Sequence, residues 1–340
     1  MATTFQQLFE RVLDGANLTS PDMQTAIGSI MDGACSPVAI GGFLTALRVK
    51  GETIDEVVGA ARAMRDRATP ITPKATGLLD TCGTGGDALH TFNISTATAL
   101  VVAACGVPIA KHGNRGVSSS SGSADVLEGL DVNIQLTPDQ VAQCIDEVGI
   151  GFCFAPLVHG AMKHAAPVRR ELKIRTVFNL LGPLTNPAGA AYQLLGANRP
   201  ETARILAEAL LQLGTRRAAV VCGSGNLDEV SLWGVTDAFL VDHGEIRTEQ
   251  WTPDSFGLPP CALAQLQVGS PQESVEVIRT IFAASTGPAR NMVLANAAAA
   301  LQVAGRVDSL PAGVQQAAEA IDSGSVEQLC QRLAAASRSF

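Results

Sequence analysis

Charge is scarce in this chain: only 16% of its 340 residues are Asp, Glu, Lys or Arg, while 46% are hydrophobic. A chain so composed buries a large core and is not read as disordered. Basic residues are not in excess either. The net charge is −8, which disfavours a nucleic-acid duplex or a membrane surface as the main partner, since both are anionic. A local basic pocket for a small anion stays open. None of the eight cysteines (Cys35, Cys82, Cys105, Cys144, Cys153, Cys222, Cys261, Cys330) forms a C-x-x-C pair, so the spacing of a zinc or redox site is missing. They lie in apolar runs, where free cysteine behaves as a small hydrophobe, and they point to a reducing, cytoplasmic compartment. Residues 1–10 lack the basic-then-apolar order of a signal peptide. The longest apolar run, 97–110, is broken by Gly106 and Pro108 and is too short to span a bilayer. The length fits two domains, or one large domain with a smaller lobe.

The first seventy residues carry helix starts and no strand signal. Ser20-Pro21 and Ser36-Pro37 each put a capping hydroxyl before a proline at the first helical position. Thr53-x-x-Glu56 is a capping box opening a helix over 57–64. Pro70-Ile71-Thr72-Pro73 reads as an extended linker. Beyond it, short apolar runs at 78–82, 107–110, 151–155 and 218–222 predict strands. Helices are predicted over 92–105 and 200–213, and after the caps Thr137-Pro138-x-Gln140 and Ser270-Pro271-x-Glu273. Short buried strands alternating with helices imply an α/β fold, its sheet mostly parallel and covered on both faces. Segment 159–187 interrupts that rhythm with helical and proline-rich sequence.

Gly83-Thr84-Gly85-Gly86-Asp87 follows the first predicted strand. Strand, glycine loop, helix is the arrangement in which backbone N–H groups approach a phosphate. It is not a dinucleotide fingerprint, because no Asp or Glu occurs between Ala88 and Ala124 to bind a ribose. No Gly-Lys-Ser/Thr follows, so it is not a P-loop. On spacing alone it is also compatible with an ordinary βα turn. Asn93-Ile94-Ser95-Thr96 opens the next helix with hydroxyls, an amide and free N–H groups. That suits an anion or a metal-phosphate, or a simple N-cap. Lys111-His112-Gly113-Asn114-Arg115-Gly116 ends the next strand, and Ser118-Ser119-Ser120-Ser121-Gly122-Ser123 follows. Lysine and arginine beside glycines suit a phosphate and a second ligand, although a serine run alone is more usually a linker.

These three motifs, in this order, resemble anthranilate phosphoribosyltransferases. The likeness continues through Ala46-Leu47-Arg48-Val49-Lys50-Gly51-Glu52, Ala161-Met162-Lys163-His164, Val168-Arg169-Arg170-Glu171-Leu172, Phe178-Asn179-Leu180-Leu181-Gly182-Pro183-Leu184-x-Asn186-Pro187 and Leu227-Asp228-Glu229. It implies a magnesium-dependent glycosyltransferase of tryptophan biosynthesis, a homodimer that binds neither nucleic acid nor membrane. It implies a small all-helical lobe of residues 1–70, joined by a segment near 165–185, beside an α/β domain of 75–340 that holds phosphoribosyl pyrophosphate. By the same match that substrate is held by Gly83, Gly86, Asp87, Thr91, Asn93, Ile94, Ser95, Thr96, Lys111, His112, Gly113, Asn114, Arg115, Gly116, Val117, Ser118, Ser119 and Ser123. Anthranilate falls to Gly83, Asn114 and Arg169; magnesium to Ser95, Asp228 and Glu229; and Lys111, Asp228 and Glu229 are the catalytic set. A guanidinium fork is the natural partner of the anthranilate carboxylate, and magnesium takes one or two carboxylates plus substrate phosphates. Without the resemblance, Arg169 reads as a solvated helix face and Asp228-Glu229 as a solvated turn.

His159 and His164 lie off the spacing of a helical zinc pair and read as packing or hydrogen-bonding residues. Two positions depart from the family, Gly160 where proline is common and Cys222 where histidine is common. The implied reaction is displacement at ribose C1, with pyrophosphate leaving and the amine attacking from the opposite face. The amine is neutral at pH 7, so positioning and electrostatics suffice. A pyrimidine nucleoside phosphorylase would share the fold but needs no metal-pyrophosphate clamp, against Asp228-Glu229. A non-catalytic nucleic-acid-binding relative is opposed by the net charge of −8.

Overall fold

The computed structural model describes residues 3–116 and 121–340. Val117, Ser118 and Ser119 of the expected phosphate stretch, and Ser120 with them, lie outside the described residues.

Four helices open the chain: Phe5–Leu13, Ser20–Met31, Pro37–Lys50 and Ile54–Arg65. Their starts are encoded locally. The hydroxyls of Thr19, Ser36 and Thr53 accept the N–H groups of Asp22, Ala39 and Glu56, satisfying donors a helix cannot satisfy itself. The second helix is capped by Thr19, one residue before the expected Ser20, because either hydroxyl can serve and Thr19 has the extended backbone a cap needs. Glu56 does more than close its capping box. Fully buried, it accepts from the N–H groups of Leu18 and Thr53 at 2.9 and 2.8 Å and pairs with the Lys50 ammonium at 2.9 Å. One carboxylate thus ties the third and fourth helices to the connection that leads into the second. Phe43, with no exposed surface, packs edge-on against Phe9; truncating it would cost about 3–5 kcal/mol.

Seven strands follow: β1 (Leu79–Gly83), β2 (Ile109–Gly113), β3 (Ile150–Phe154), β4 (Tyr192–Gly196), β5 (Arg217–Cys222), β6 (Thr236–Asp242) and β7 (Glu245–Trp251). They form one sheet in the order β3-β2-β1-β4-β5-β6-β7. β1 to β5 are parallel, and β6 and β7 are an antiparallel hairpin on the edge. Every residue of β3 is buried, whereas most of β7 is exposed. Both are edge strands of the sheet; the difference is that β3 is covered on both faces and β7 is not. The predicted helix over 92–105 starts at Ile94, because Asn93 spends its side chain capping it.

Helices Ile94–Ala104, Pro288–Val303, Leu310–Asp322 and Ser325–Arg338 build the core on one face of the sheet. On the other face, Leu206 and Leu210 of helix Pro200–Gln212 join Val220 of β5. That second core runs on without a break through Phe178, Leu181 and Leu184 into Leu8, Ile27, Phe43 and Val57 of the opening helices. The chain progresses outward from β1 through β2 to β3, then restarts at β4 on the other side of β1. Such a reversal leaves a crevice at the carboxyl ends of the two flanking strands, the place where open α/β sheets hold ligands.

Candidate active site

Five loops leave the carboxyl ends of the parallel strands around that crevice. The glycine loop leaves β1, residues 114–116 leave β2, Ala155 to His159 leave β3, Asn198 follows β4, and Asp228-Glu229 follow β5. The contact at the centre is between β1 and β5: the N–H of Gly85 donates to Asp228 Oδ2 at 2.7 Å. Two glycines permit it. A side chain at Gly83 would meet the Asp228 carboxylate, and one at Gly196 would meet the Asp228 backbone.

Burial and the nearby Asp87 charge raise the Asp228 carboxyl to about 7. Burial and the Asp228 charge also raise Glu229, which Lys111 partly offsets. Asp228 and Glu229, two crowded carboxylates with hard oxygens, suit a magnesium-like cation that would relieve their repulsion. Among the described residues no three His, Cys, Asp or Glu side chains gather into a metal-holding group. The set therefore fits a cation that takes its remaining ligands from a substrate and water, not a closed structural site.

Lys111 is only 2% exposed. Its ammonium donates to Thr81 O at 2.7 Å and to Ser95 Oγ at 3.3 Å. Burial lowers its pKa, opposed by the charges of Asp80, Cys82 and Glu229. It thus lies under the floor of the site. Asn93 caps the helix behind it, its Oδ1 accepting from Thr96 N at 3.0 Å and Ser95 Oγ at 3.3 Å. Thr91 bridges to Gln267 on the rim.

A cavity of about 580 Å³ adjoins the glycine loop on the β2–β3 side. Gly83, His112, Gly113, Asn114 and Arg169 all line it, with Met64, Phe178 and Asn179. Gly83 therefore faces both halves of the site. Arg169 stands with its guanidinium 5.3 Å from the centre of the Phe178 ring, and burial lowers its pKa. Among the described residues no carboxylate pairs with it. His112 Nδ1 contacts Gly182 O at 3.1 Å and its Nε2 contacts His159 Nε2 at 3.2 Å. A carbonyl only accepts, so His112 carries its proton on Nδ1 and accepts at Nε2. Burial pushes His112 down to about 3 and His159 down to about 4, so both are neutral at pH 7.

Several expected site residues point elsewhere. The Arg115 guanidinium is taken by Asp125 and Glu128 on the surface. The Ile94 side chain belongs to the core, and Thr96 is fully buried. Only their backbones can serve the site. Gly116 and Ser123 are bound back to the protein, through Gly116 N to Asp125 Oδ2 at 2.9 Å and Ser123 Oγ to Asn114 O at 3.3 Å. Other residues were not singled out by sequence. Asp80, with no exposure, accepts from His112 N at 3.1 Å and Asn186 Nδ2 at 2.8 Å. A carboxylate in the middle of an apolar strand was the available signal. Asn198 and Arg175 touch the glycine loop, and nothing in their local sequence marks them.

Comparison with known proteins supplies the rest. The sequence model of the glycosyl transferase family a/b domain matches residues 75–327, and that of the glycosyl transferase helical bundle domain matches residues 6–68. The anthranilate phosphoribosyltransferase of Moorella thermoacetica is 50% identical over 325 residues, 96% of each chain. A crystal structure of anthranilate phosphoribosyltransferase from Thermus thermophilus superposes with a TM-score of 0.91 at 42% identity, covering 97% of this chain and 99% of that one. The Saccharomyces cerevisiae enzyme, solved in complex with phosphoribosyl pyrophosphate and magnesium, gives a TM-score of 0.90 at 26% identity over 99% and 98% of the two chains. With both lobes matched end to end, the chain belongs to the anthranilate phosphoribosyltransferase family.

Proposed function

We propose that this protein transfers the phosphoribosyl group of phosphoribosyl pyrophosphate to the amine of anthranilate, releasing pyrophosphate, as a step of tryptophan biosynthesis. One observation carries the reading. A cavity containing a guanidinium, Arg169, that pairs with no carboxylate among the described residues opens beside a loop whose amide is bound to Asp228 at 2.7 Å. An aromatic acid and a polyphosphate would thereby be neighbours across Gly83.

Arg169 and Asn114 hold the anthranilate carboxylate and aim the amine at ribose C1. The neutral His112–His159 pair walls the cavity without adding a charge that competes for the carboxylate. Amides of the glycine loop and of the helix start at Ile94 hold phosphate oxygens. Lys111, from beneath, adds positive potential as charge develops on the leaving group. Asp228 and Glu229, with the Ser95 hydroxyl, would hold magnesium, which when bound offsets the charge of the pyrophosphate. The neutral amine attacks C1 opposite the leaving group, so orientation of two substrates carries the rate.

We further propose that residues 1–70, with the segment near 165–185, act as a lobe that closes on the domain of 75–340. Arg169 and Phe178, on that segment, would then move with the lobe. A cytoplasmic location is supported by eight unbridged cysteines; no helix among the described residues is long and apolar enough to cross a membrane. A homodimer through helices Phe5–Leu13 and Pro37–Lys50 is supported by Leu13, Val38 and Val49, which are 61%, 85% and 83% exposed around an apolar groove. Sedimentation of Val38→Glu tests that pairing. The activity itself is tested by loss of anthranilate fluorescence with phosphoribosyl pyrophosphate and magnesium. Phosphorolysis of a nucleoside with no use of anthranilate would refute it.

A further inference from the structure

The glycine loop is held in a specific way. Gly85 and Gly86 take φ values of +66° and +77°, a pair of left-handed conformations that glycine adopts at little cost. Their carbonyls are fastened by side chains from other segments. Asn198 Nδ2 donates to Gly85 O at 3.1 Å and to Gly86 O at 3.0 Å. Arg175 Nη1 reaches Gly85 O at 3.5 Å. Among the described residues the N–H groups of Gly86 and Asp87 find no protein acceptor. Carbonyls pinned behind and successive N–H groups open in front are the make-up of an anion-binding nest.

Arg175 also presents an exposed guanidinium at the loop. It forms no ion pair among the described residues. Asp228 is the negative group that acts on it, while Arg199 and Arg48 act on it as like charges. Of these three arginines, Arg175, on the segment after helix Ala166–Leu172, is the one that reaches the loop. An exposed guanidinium beside open loop amides can reach the oxygens of a multivalent anion bound there.

We propose that Asn198 is a positioning residue and Arg175 a further binding residue for the pyrophosphate group. Asn198 keeps the loop amides facing the leaving group, and Arg175 meets its oxygens. This rests on the phosphoribosyl-transfer reading, and deepens it at two side chains that the family motifs do not assign.

The test combines steady-state kinetics for both substrates with calorimetric titration of magnesium pyrophosphate onto the full-length protein. Asn198→Ala loses two modest hydrogen bonds and raises the KM for phosphoribosyl pyrophosphate, and the pyrophosphate Kd, about tenfold. Asn198→Asp is worse than Asn198→Ala, because a carboxylate of equal size repels both carbonyls and Asp228. Arg175→Gln weakens pyrophosphate about tenfold or more, and Arg175→Lys recovers part of it. The KM for anthranilate stays within about twofold throughout, as expected for a contact confined to the other substrate. Unchanged pyrophosphate affinity in Asn198→Asp and Arg175→Gln overturns the proposal; so does a parallel loss for both substrates, which marks a structural role. If Asn198→Asp does not fold, Asn198→Ser and the Arg175 pair decide the same question. A wild-type protein that binds pyrophosphate but never consumes anthranilate refutes the functional reading alone, whereas an active wild type with unaltered variants refutes this inference alone.

Discussion

Arg169→Ala separates the aromatic-acid half of the site from the phosphate half. The guanidinium lies in the 580 Å³ cavity, over the Phe178 ring at 5.3 Å, and among the described residues no carboxylate pairs with it. It is half-buried in the free protein, so part of its solvation is already lost. Losing one partner of such a pair costs about 2–5 kcal/mol, and because this cavity opens to solvent the low end applies, about 2–3 kcal/mol. At about 1.4 kcal/mol per factor of ten, anthranilate binding weakens about 30- to 150-fold. Arg169→Lys keeps the charge but loses the planar fork and the ring stacking, so it recovers only part of the loss. Phosphoribosyl pyrophosphate, on the far side of Gly83, should bind as before. Paired titrations of the two substrates on purified variants give the answer. Equal losses for both would show that Arg169 supports the fold or the phosphate, and the substrate assignment would fail.

Asp228→Asn and Glu229→Gln should raise the magnesium requirement by about 100-fold or more, the upper end of what losing even an outer partner costs, with circular dichroism unchanged; wild-type rates at limiting magnesium would refute the assignment. Because Asp228 sits at about 7 without metal, and ligands bind metal deprotonated, the magnesium requirement should fall between pH 6 and pH 8. The histidine pair should make the fold acid-sensitive. Their folded values of about 3 and about 4 lie below the unfolded value of 6.5, so the unfolded chain takes up protons first and stability falls as pH drops from 7 to 5. The loss is about 2 kcal/mol for each histidine, visible in urea unfolding and absent from His112→Gln/His159→Gln. Gly196→Ala should push the Asp228 backbone off the end of β4, costing about 1–3 kcal/mol of overpacking; a melting temperature and magnesium requirement equal to wild type would contradict that close approach.

Local chemistry was legible wherever a residue acts within its own segment. Thr53-x-x-Glu56 caps its helix through contacts three residues apart, and Thr137, Ser270 and Asn93 do the same. The glycine loop announced itself because a run of small residues after an apolar strand leaves backbone amides uncovered. Four of the five parallel strands were visible as apolar runs, since a strand covered on both faces has no polar side to show; β4 was not predicted, because Tyr192-Gln193 leaves only a short apolar run although Gln193 is buried. The antiparallel hairpin β6–β7, by contrast, was not predicted: its half-exposed strands alternate weakly and blend with surface sequence.

By itself, then, the sequence determined the opening helices, the alternation of strand and helix, and the motifs that lie at strand ends. Tertiary structure decided which of those ends meet. Gly85 and Asp228 are 143 residues apart, and only the reversal of strand order between β1 and β4 makes them neighbours. The same crossing turns Arg115 outward to Glu128 and sinks Lys111 beneath Ser95, although both looked equally suited to a phosphate in sequence. It also brings Asn198 onto the glycine loop from β4. A side chain's partners depend on the direction it leaves the backbone and on what packs opposite. Both are fixed by contacts between distant segments, which no local pattern contains.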